Sequence, residues 1–268
     1  MTDYEIELAA LTDVGTEREL NEDACGTHLE TEACAVVSVA DGVSSYPGGE
    51  VASQMAVEVT LRAYQEQPAS APAGQRLYRA VQQANIEVYD RAVAVPELRG
   101  MATTLTAVAV ERGELTAVHV GDSRLYLLRD GNLTQLTKDH TVAADKVRFG
   151  LLSRERARLH PDRSVITRSV GRELIVSRDR ITQRLYRGDT LLLCSDGLYN
   201  VLSDSEMARL MRGQGAQAAC RALIGAANAR GTFDNLTAAV MRVVGPTPEP
   251  PDPPSFTGRL KKLLVRGV

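Results

Sequence analysis

The sequence predicts an α+β fold of layered antiparallel sheets with helices on their outer faces, on three observations. Short apolar runs recur at residues 35–40, 115–121, 191–195 and 236–240, the length of buried strands rather than helices. Strand-like segments 104–111 and 114–121 meet across Arg112-Gly113, and segments 125–129 and 132–137 across Asp130-Gly131, the chemistry of tight hairpins. Helical periodicity does not alternate regularly with these strands, which argues against a parallel doubly wound sheet.

Along the chain, residues 50–65 read as a helix with Val51, Met55, Val59 and Ala63 on one stripe, and Leu77, Val81, Ala84 and Val88 mark a second helix. The block of hairpin strands follows. Residues 146–187 then hold twelve Lys and Arg against four Asp and Glu. That segment is either a solvated helical face or a flap whose guanidinium groups meet an acidic or phosphorylated protein. After Gly245 come Pro246, Pro248, Pro250, Pro251, Pro253 and Pro254, which predict a stiff linker. The folded domain is therefore expected over residues 1–244, with residues 245–268 forming the linker and a short basic amphipathic tail.

The 268 residues are 44% hydrophobic and carry a formal net charge of −3, enough for a sizeable core and without the basic field that draws a protein to nucleic acid or anionic membrane. Cys25, Cys34, Cys194 and Cys220 include no CxxC pair, so reduced, packed thiols are expected rather than a disulfide frame or zinc site. The opening residues 1–5 lack a basic n-region with an apolar h-region, and no 18 apolar residues run together. A cytoplasmic protein without a membrane span is expected.

The apolar runs share a further property: each adjoins an aspartate at a turn. Asp41-Gly42 follows the first run, Asp122 the second and Asp196-Gly197 the third, while Asp234-Asn235 precedes the last. Buried strands would gather these carboxylates at their ends, where mutual repulsion calls for hard divalent cations between them. An arginine beside such ions would complete a phosphate site, and a metal-dependent hydrolase is the leading reading.

In order, the segments Arg18-Glu19-Leu20-Asn21-Glu22-Asp23, Ala40-Asp41-Gly42-Val43, Gly48-Gly49-Glu50, Gly100-Met101-Ala102-Thr103-Thr104, Val120-Gly121-Asp122-Ser123-Arg124, Leu136-Thr137-Lys138-Asp139-His140, Ile166-Thr167-Arg168-Ser169-Val170-Gly171, Cys194-Ser195-Asp196-Gly197 and Asp234-Asn235 resemble the metal-dependent serine/threonine protein phosphatases of the PP2C (PPM) family. The resemblance covers nearly all of residues 5–243, and His160-Pro161-Asp162-Arg163 is most similar to the bacterial branch. It implies an α-β-β-α sandwich of two antiparallel sheets flanked by helices. It further implies that Asp41 bridges two Mn²⁺ or Mg²⁺ ions, with Asp196 and Asp234 on the first, and with Glu22 and the Gly42 carbonyl on the second. Asp23 is implied to orient the attacking water, Arg18 to grip substrate phosphate, and Asp122 with Asp196 to hold a third, weaker ion. Many relatives carry a histidine directly after the Asp-Gly as a candidate general acid, whereas this chain has Val43. His140 and His160 read as structural.

The resemblance implies phosphorylated proteins as partners, a serine/threonine kinase among them, and a monomer is expected. The competing expectations are a catalytically silent phosphoprotein-binding regulator and a phosphatase dedicated to an anti-sigma-factor antagonist. The first sits poorly with Glu22, Asp23, Asp41, Asp196 and Asp234 all being present, since without turnover they bring only repulsion.

Overall fold

The computed structural model describes residues 5–245. The proline-rich linker and amphipathic tail expected after Gly245 lie outside the described residues.

Two five-stranded antiparallel sheets face each other. The first runs in the order β1 (Ile6–Asp13), β10 (Leu236–Val243), β9 (Thr190–Cys194), β6 (Arg124–Arg129) and β7 (Asn132–Gln135). The second runs β2 (Asp23–Thr31), β3 (Cys34–Asp41), β4 (Leu105–Glu111), β5 (Glu114–Val120) and β8 (Asp179–Arg184). Their inner faces interdigitate through Val37, Val39, Val108, Val110, Leu125, Leu191, Leu193 and Met241, all nearly or wholly shielded from solvent. Strands β3, β4, β5, β9 and β10 are buried on both faces, which is why they read as continuous apolar runs. The expected hairpins form at the expected turns: Arg112 and Gly113 have φ of 48° and 79°, Asp130 and Gly131 of 51° and 80°. Positive φ at both central positions matches the right-handed twist of the flanking strands.

Helices α1 (Gly49–Gln65) and α2 (Ala73–Ala94) cover the outer face of the second sheet. All four apolar positions expected for α2 are fully buried. In α1 the buried face is rotated from the expected stripe: Ala52, Ala56, Val59 and Thr60 are buried, while Val51, Met55 and Ala63 pack only partly. Small alanines and a threonine, whose hydroxyl bonds back to the Ala56 carbonyl at 2.6 Å, let α1 sit close to α2 and the sheet at once. Periodicity weighted by hydrophobicity favours the larger side chains and so misses this face. The first sheet is covered by α5 (Asp196–Tyr199), α6 (Asp204–Met211) and α7 (Ala216–Asn228). The basic segment forms two short helices, α3 (Val142–Arg148) and α4 (Arg154–Arg158), and a 3-10 turn over Pro161–Ser164. Part of its charge is matched internally, by Lys146 with Asp162 and Arg168 with Asp179.

Candidate active site

The carboxylates meet at one end of the sandwich because strand ends from both sheets terminate there. Asp23 opens β2 and faces Asp41, the last residue of β3, as a direct antiparallel pair. Asp122 follows β5, Asp196 opens α5 after β9, and Asp234 stands two residues before β10. Glu22 is drawn to the same place, since its backbone carbonyl accepts from Gly42 N at 3.0 Å. The side chain of Glu22 lies against the start of α1. A Cβ on Gly49 would come within 2.5 Å of Glu22 Oε1, so a larger residue there would push the Glu22 carboxylate out of this position. Similarly, a Cβ on Gly197 would stand 2.1 Å from the Asn235 carbonyl, which explains the Asp-Gly pair at the start of α5.

Electrostatics bears out the crowding expected from the sequence. Burial pushes the Asp41 carboxyl well above the usual carboxylate range, reinforced by Asp23, Asp196, Asp122 and Asp234. Burial likewise raises Asp122, with Asp196 adding to it. Asp196 is pushed up to about 6 by burial and by Asp234. Asp23 rises to about 7, chiefly through burial and against hydrogen bonds from Ser195 and Thr237 that favour its ionised form. The same groups that burial penalises also repel one another, and positive charge between them would offset both penalties.

The donor set is entirely oxygen, which suits a hard cation such as Mn²⁺ or Mg²⁺ and not zinc held by thiolates. Among the described residues no three His, Cys, Asp or Glu side chains stand close enough to enclose an ion unaided. Arg18 instead spans two of the carboxylates: its Nη2 lies 3.0 Å from Asp234 Oδ1 and its Nη1 3.8 Å from Glu22 Oε2. Its Nε donates to the Phe233 carbonyl at 3.2 Å. The guanidinium expected to grip phosphate thus stands at the mouth of the cluster, half-exposed and paired with acids.

Several residues that the sequence reading gave no role hold this arrangement. Buried Asn235 accepts from Glu22 N at 2.8 Å through Oδ1, and its Nδ2 donates to the carbonyls of Val14 and Leu20, each at 2.9 Å. Ser195 Oγ and Thr237 Oγ1 both donate to Asp23 Oδ2, at 2.6 and 2.8 Å. Asp41 is fixed through its backbone: its N–H donates to Thr104 Oγ1 at 2.9 Å, and its carbonyl accepts from Thr103 Oγ1 at 2.8 Å. Tyr199 Oη donates to the Asp122 carbonyl at 3.2 Å, with Arg124 stacked 3.5 Å above the tyrosine ring and paired to Asp139 at 2.7 Å. Thr103, Thr104, Arg124, Asp139, Ser195 and Asn235 lie in the segments that carry the family resemblance, but nothing in those segments says which group each side chain holds. The hydroxyl residues have no periodic signature.

His140 and His160, which the sequence reads as structural, both accept hydrogen bonds from the backbone. His140 Nδ1 accepts from Gly121 N at 3.1 Å, leaving the Nε2 proton to face Asp179 at 3.3 Å. His160 Nδ1 accepts from Asp162 N at 3.0 Å and caps the 3-10 turn. His119 is fully buried against His140, with ring centroids 4.7 Å apart.

Known proteins share this sequence pattern and fold. A family model described as Protein phosphatase 2C matches residues 16–214. A serine/threonine phosphatase stp of Listeria monocytogenes is 36% identical over 230 residues, covering 84% of this chain and 91% of that protein. The crystal structure of the Mycobacterium tuberculosis serine/threonine phosphatase PstP/Ppp superposes with a TM-score of 0.80 at 34% identity, covering 89% of this chain and 99% of that one. A structure of the catalytic domain of PstP in complex with two manganese ions superposes with a TM-score of 0.78 at 33% identity, covering 90% and 99% of the respective chains.

Proposed function

This chain belongs to the protein phosphatase 2C family of metal-dependent serine/threonine phosphatases, and from that premise we propose how its own residues hydrolyse phosphoserine and phosphothreonine in proteins. The observation that carries the reading is the set of mutually repelling carboxylates at one end of the sandwich, Asp23 and Asp122 buried and Asp41 and Asp196 half-buried. Asp41, Asp196 and Asp234 would hold one divalent ion; Asp41, Glu22 and the Gly42 carbonyl a second; and Asp122 with Asp196 a third, weaker one. When bound, such ions lower the pKa of water to give a nucleophile near neutral pH and neutralise the phosphoryl oxygens.

Each residue then has a task of its own. Both hydroxyl donors on Asp23 engage Oδ2, which leaves Oδ1 as the acceptor that orients the attacking water. Arg18 exchanges its pairing with Asp234 and Glu22 for two phosphoryl oxygens once those acids are neutralised. A bond forms between water oxygen and phosphorus, the ester P–O bond breaks in line, and the departing serine or threonine oxygen takes a proton. Val43 offers none, so that proton comes from water.

We place the catalytic unit in residues 1–244, with 245–268 appended to it, in a monomer acting in the cytoplasm. The free, mostly buried cysteines support a reducing compartment. No described helix is long and apolar enough to cross a membrane. Substrates include the serine/threonine kinase that the phosphatase opposes. Release of phosphate from a phosphothreonine peptide, with Mn²⁺, with Mg²⁺ and with chelator, tests the reading. Metal-dependent turnover supports it, and metal-saturated protein that binds the peptide without hydrolysing it identifies a silent regulator instead.

A further inference from the structure

We propose that Tyr46 and Arg172 form a subsite, apart from the carboxylate cluster, for an anionic group on the protein substrate a few residues from the phosphorylated one; the proposal rests on the phosphatase reading above. Arg172 Nη1 donates to Tyr46 Oη at 2.9 Å across 126 residues of sequence. The guanidinium carbon stands 4.9 Å from the ring centroid of Tyr46. The exposed arginine is thus oriented by both the hydroxyl and the face of the half-buried tyrosine.

Backbone contacts tie this pair to the active site. Thr103 makes antiparallel bridges to Gly42 on one side and to Val170 on the other. Its N–H donates to the Val170 carbonyl at 3.1 Å, and Val170 N donates back at 2.8 Å. The Tyr46 ring rests on Gly100, where φ is +85° and a Cβ would meet Tyr46 Cδ1 at 3.2 Å. Arg172 comes two residues after Val170 and Tyr46 four after Gly42, at most ~14 Å of chain. An extended substrate advances ~3.3 Å per residue, so the subsite faces a residue within about four positions of the phosphorylated one.

Charge separates this pair from the other arginines near the site. Arg18, Arg124 and Arg168 are matched by Asp234, Asp139 and Asp179. Among the described residues, Arg172 has the neutral Tyr46 as its hydrogen-bond acceptor and no carboxylate in an ion pair. A phenol directs the guanidinium without cancelling its charge, and most of its five N–H donors remain for a ligand. Holding the loop requires no charge, because the Gly100 contact and the Thr103 bridges already do so. The complementary ligand is an oxyanion, either a carboxylate side chain or a second phosphate.

The test uses the full chain with Mn²⁺ and four peptides. Each carries one phosphothreonine, and two to four positions away either alanine, glutamate, lysine or a non-hydrolysable phosphonate analogue of phosphothreonine. Hydrolysis of the alanine peptide bears on the phosphatase reading alone. Relative to it, the wild type should prefer the glutamate or phosphonate peptide about fivefold in kcat/KM, through KM, equivalent to ~1 kcal/mol. Preference for both identifies a general oxyanion subsite, and preference for the phosphonate alone a phosphate subsite. Arg172→Glu should invert the order and favour lysine, which a merely structural role does not predict. Tyr46→Phe should bring the preference to about twofold by freeing the guanidinium. Affinities of the same peptides, with the reacting residue also a phosphonate, should follow the same order independently of turnover. Wild-type ratios within twofold across all four peptides, or an unchanged order in Arg172→Glu, would overturn the proposal.

Discussion

Replacing Asp196 by asparagine should abolish turnover yet make the metal-free protein more stable. The carboxyl is pushed from 3.8 to about 6, first by burial and then by Asp234. At 1.36 kcal/mol per pH unit, holding it ionised in the fold at pH 8 costs about 3 kcal/mol. An amide removes that cost and keeps an acceptor for Asn200 Nδ2, now 3.1 Å from Asp196 Oδ2. The amide is itself desolvated, so the net gain should be about 1–2 kcal/mol, or roughly 4 °C in Tm for a domain of this size. The sign with pH follows from proton uptake. Between pH 3.8 and about 6 the folded carboxyl binds more protons than the unfolded one, so the wild type loses stability as pH rises through that window and levels off above it. The advantage of asparagine is therefore greatest at pH 8 and shrinks toward pH 4. Saturating Mn²⁺ should reverse the order, because each ion bound only by the fold adds about 2.7 kcal/mol at a hundredfold excess over its Kd. Thermal and urea unfolding in EDTA at pH 8 and pH 5, repeated in Mn²⁺, provide the assay. A mutant no more stable than wild type in EDTA at pH 8, or a larger advantage at pH 5, would refute the reasoning.

Asn235→Ala strips partners from Glu22 N and from the Val14 and Leu20 carbonyls, and should cost about 3 kcal/mol in urea unfolding and raise the Mn²⁺ concentration needed for activity. An unchanged metal requirement would show that Glu22 is positioned without it. Burial first, then the neighbouring His140, lowers His119 to about 4, so the fold binds fewer protons than the unfolded chain between pH 4 and 6.5. His119 should thus destabilise the wild type as pH falls through that window, by up to about 3 kcal/mol, and the stability difference from His119→Gln should change with pH there and nowhere else. Arg18→Ala should raise KM for a phosphothreonine peptide roughly tenfold, ~1.4 kcal/mol, with kcat and calorimetric metal affinity nearly kept. Lost metal affinity at unchanged KM would reassign the residue.

What the sequence determined by itself was whatever repeats or stands beside a repeating pattern. Doubly buried strands write continuous apolar runs, so β3, β5, β9 and β10 and the aspartates at their ends were legible, as were the hairpins whose turns demand positive φ. β1, β2 and β8 were not: β2 and β8 alternate between half-buried and exposed positions, and their mixed polar residues resemble loop. The buried face of α1 was misplaced because alanine and threonine carry little hydrophobic signal, although their small size is what allows close packing. Tertiary structure alone decided which polar groups hold the carboxylates. Ser195 reaches Asp23 across 172 residues, and Arg172 reaches Tyr46 across 126. A hydrogen bond needs two atoms about 3 Å apart in space, and residue type and spacing along the chain do not encode that distance.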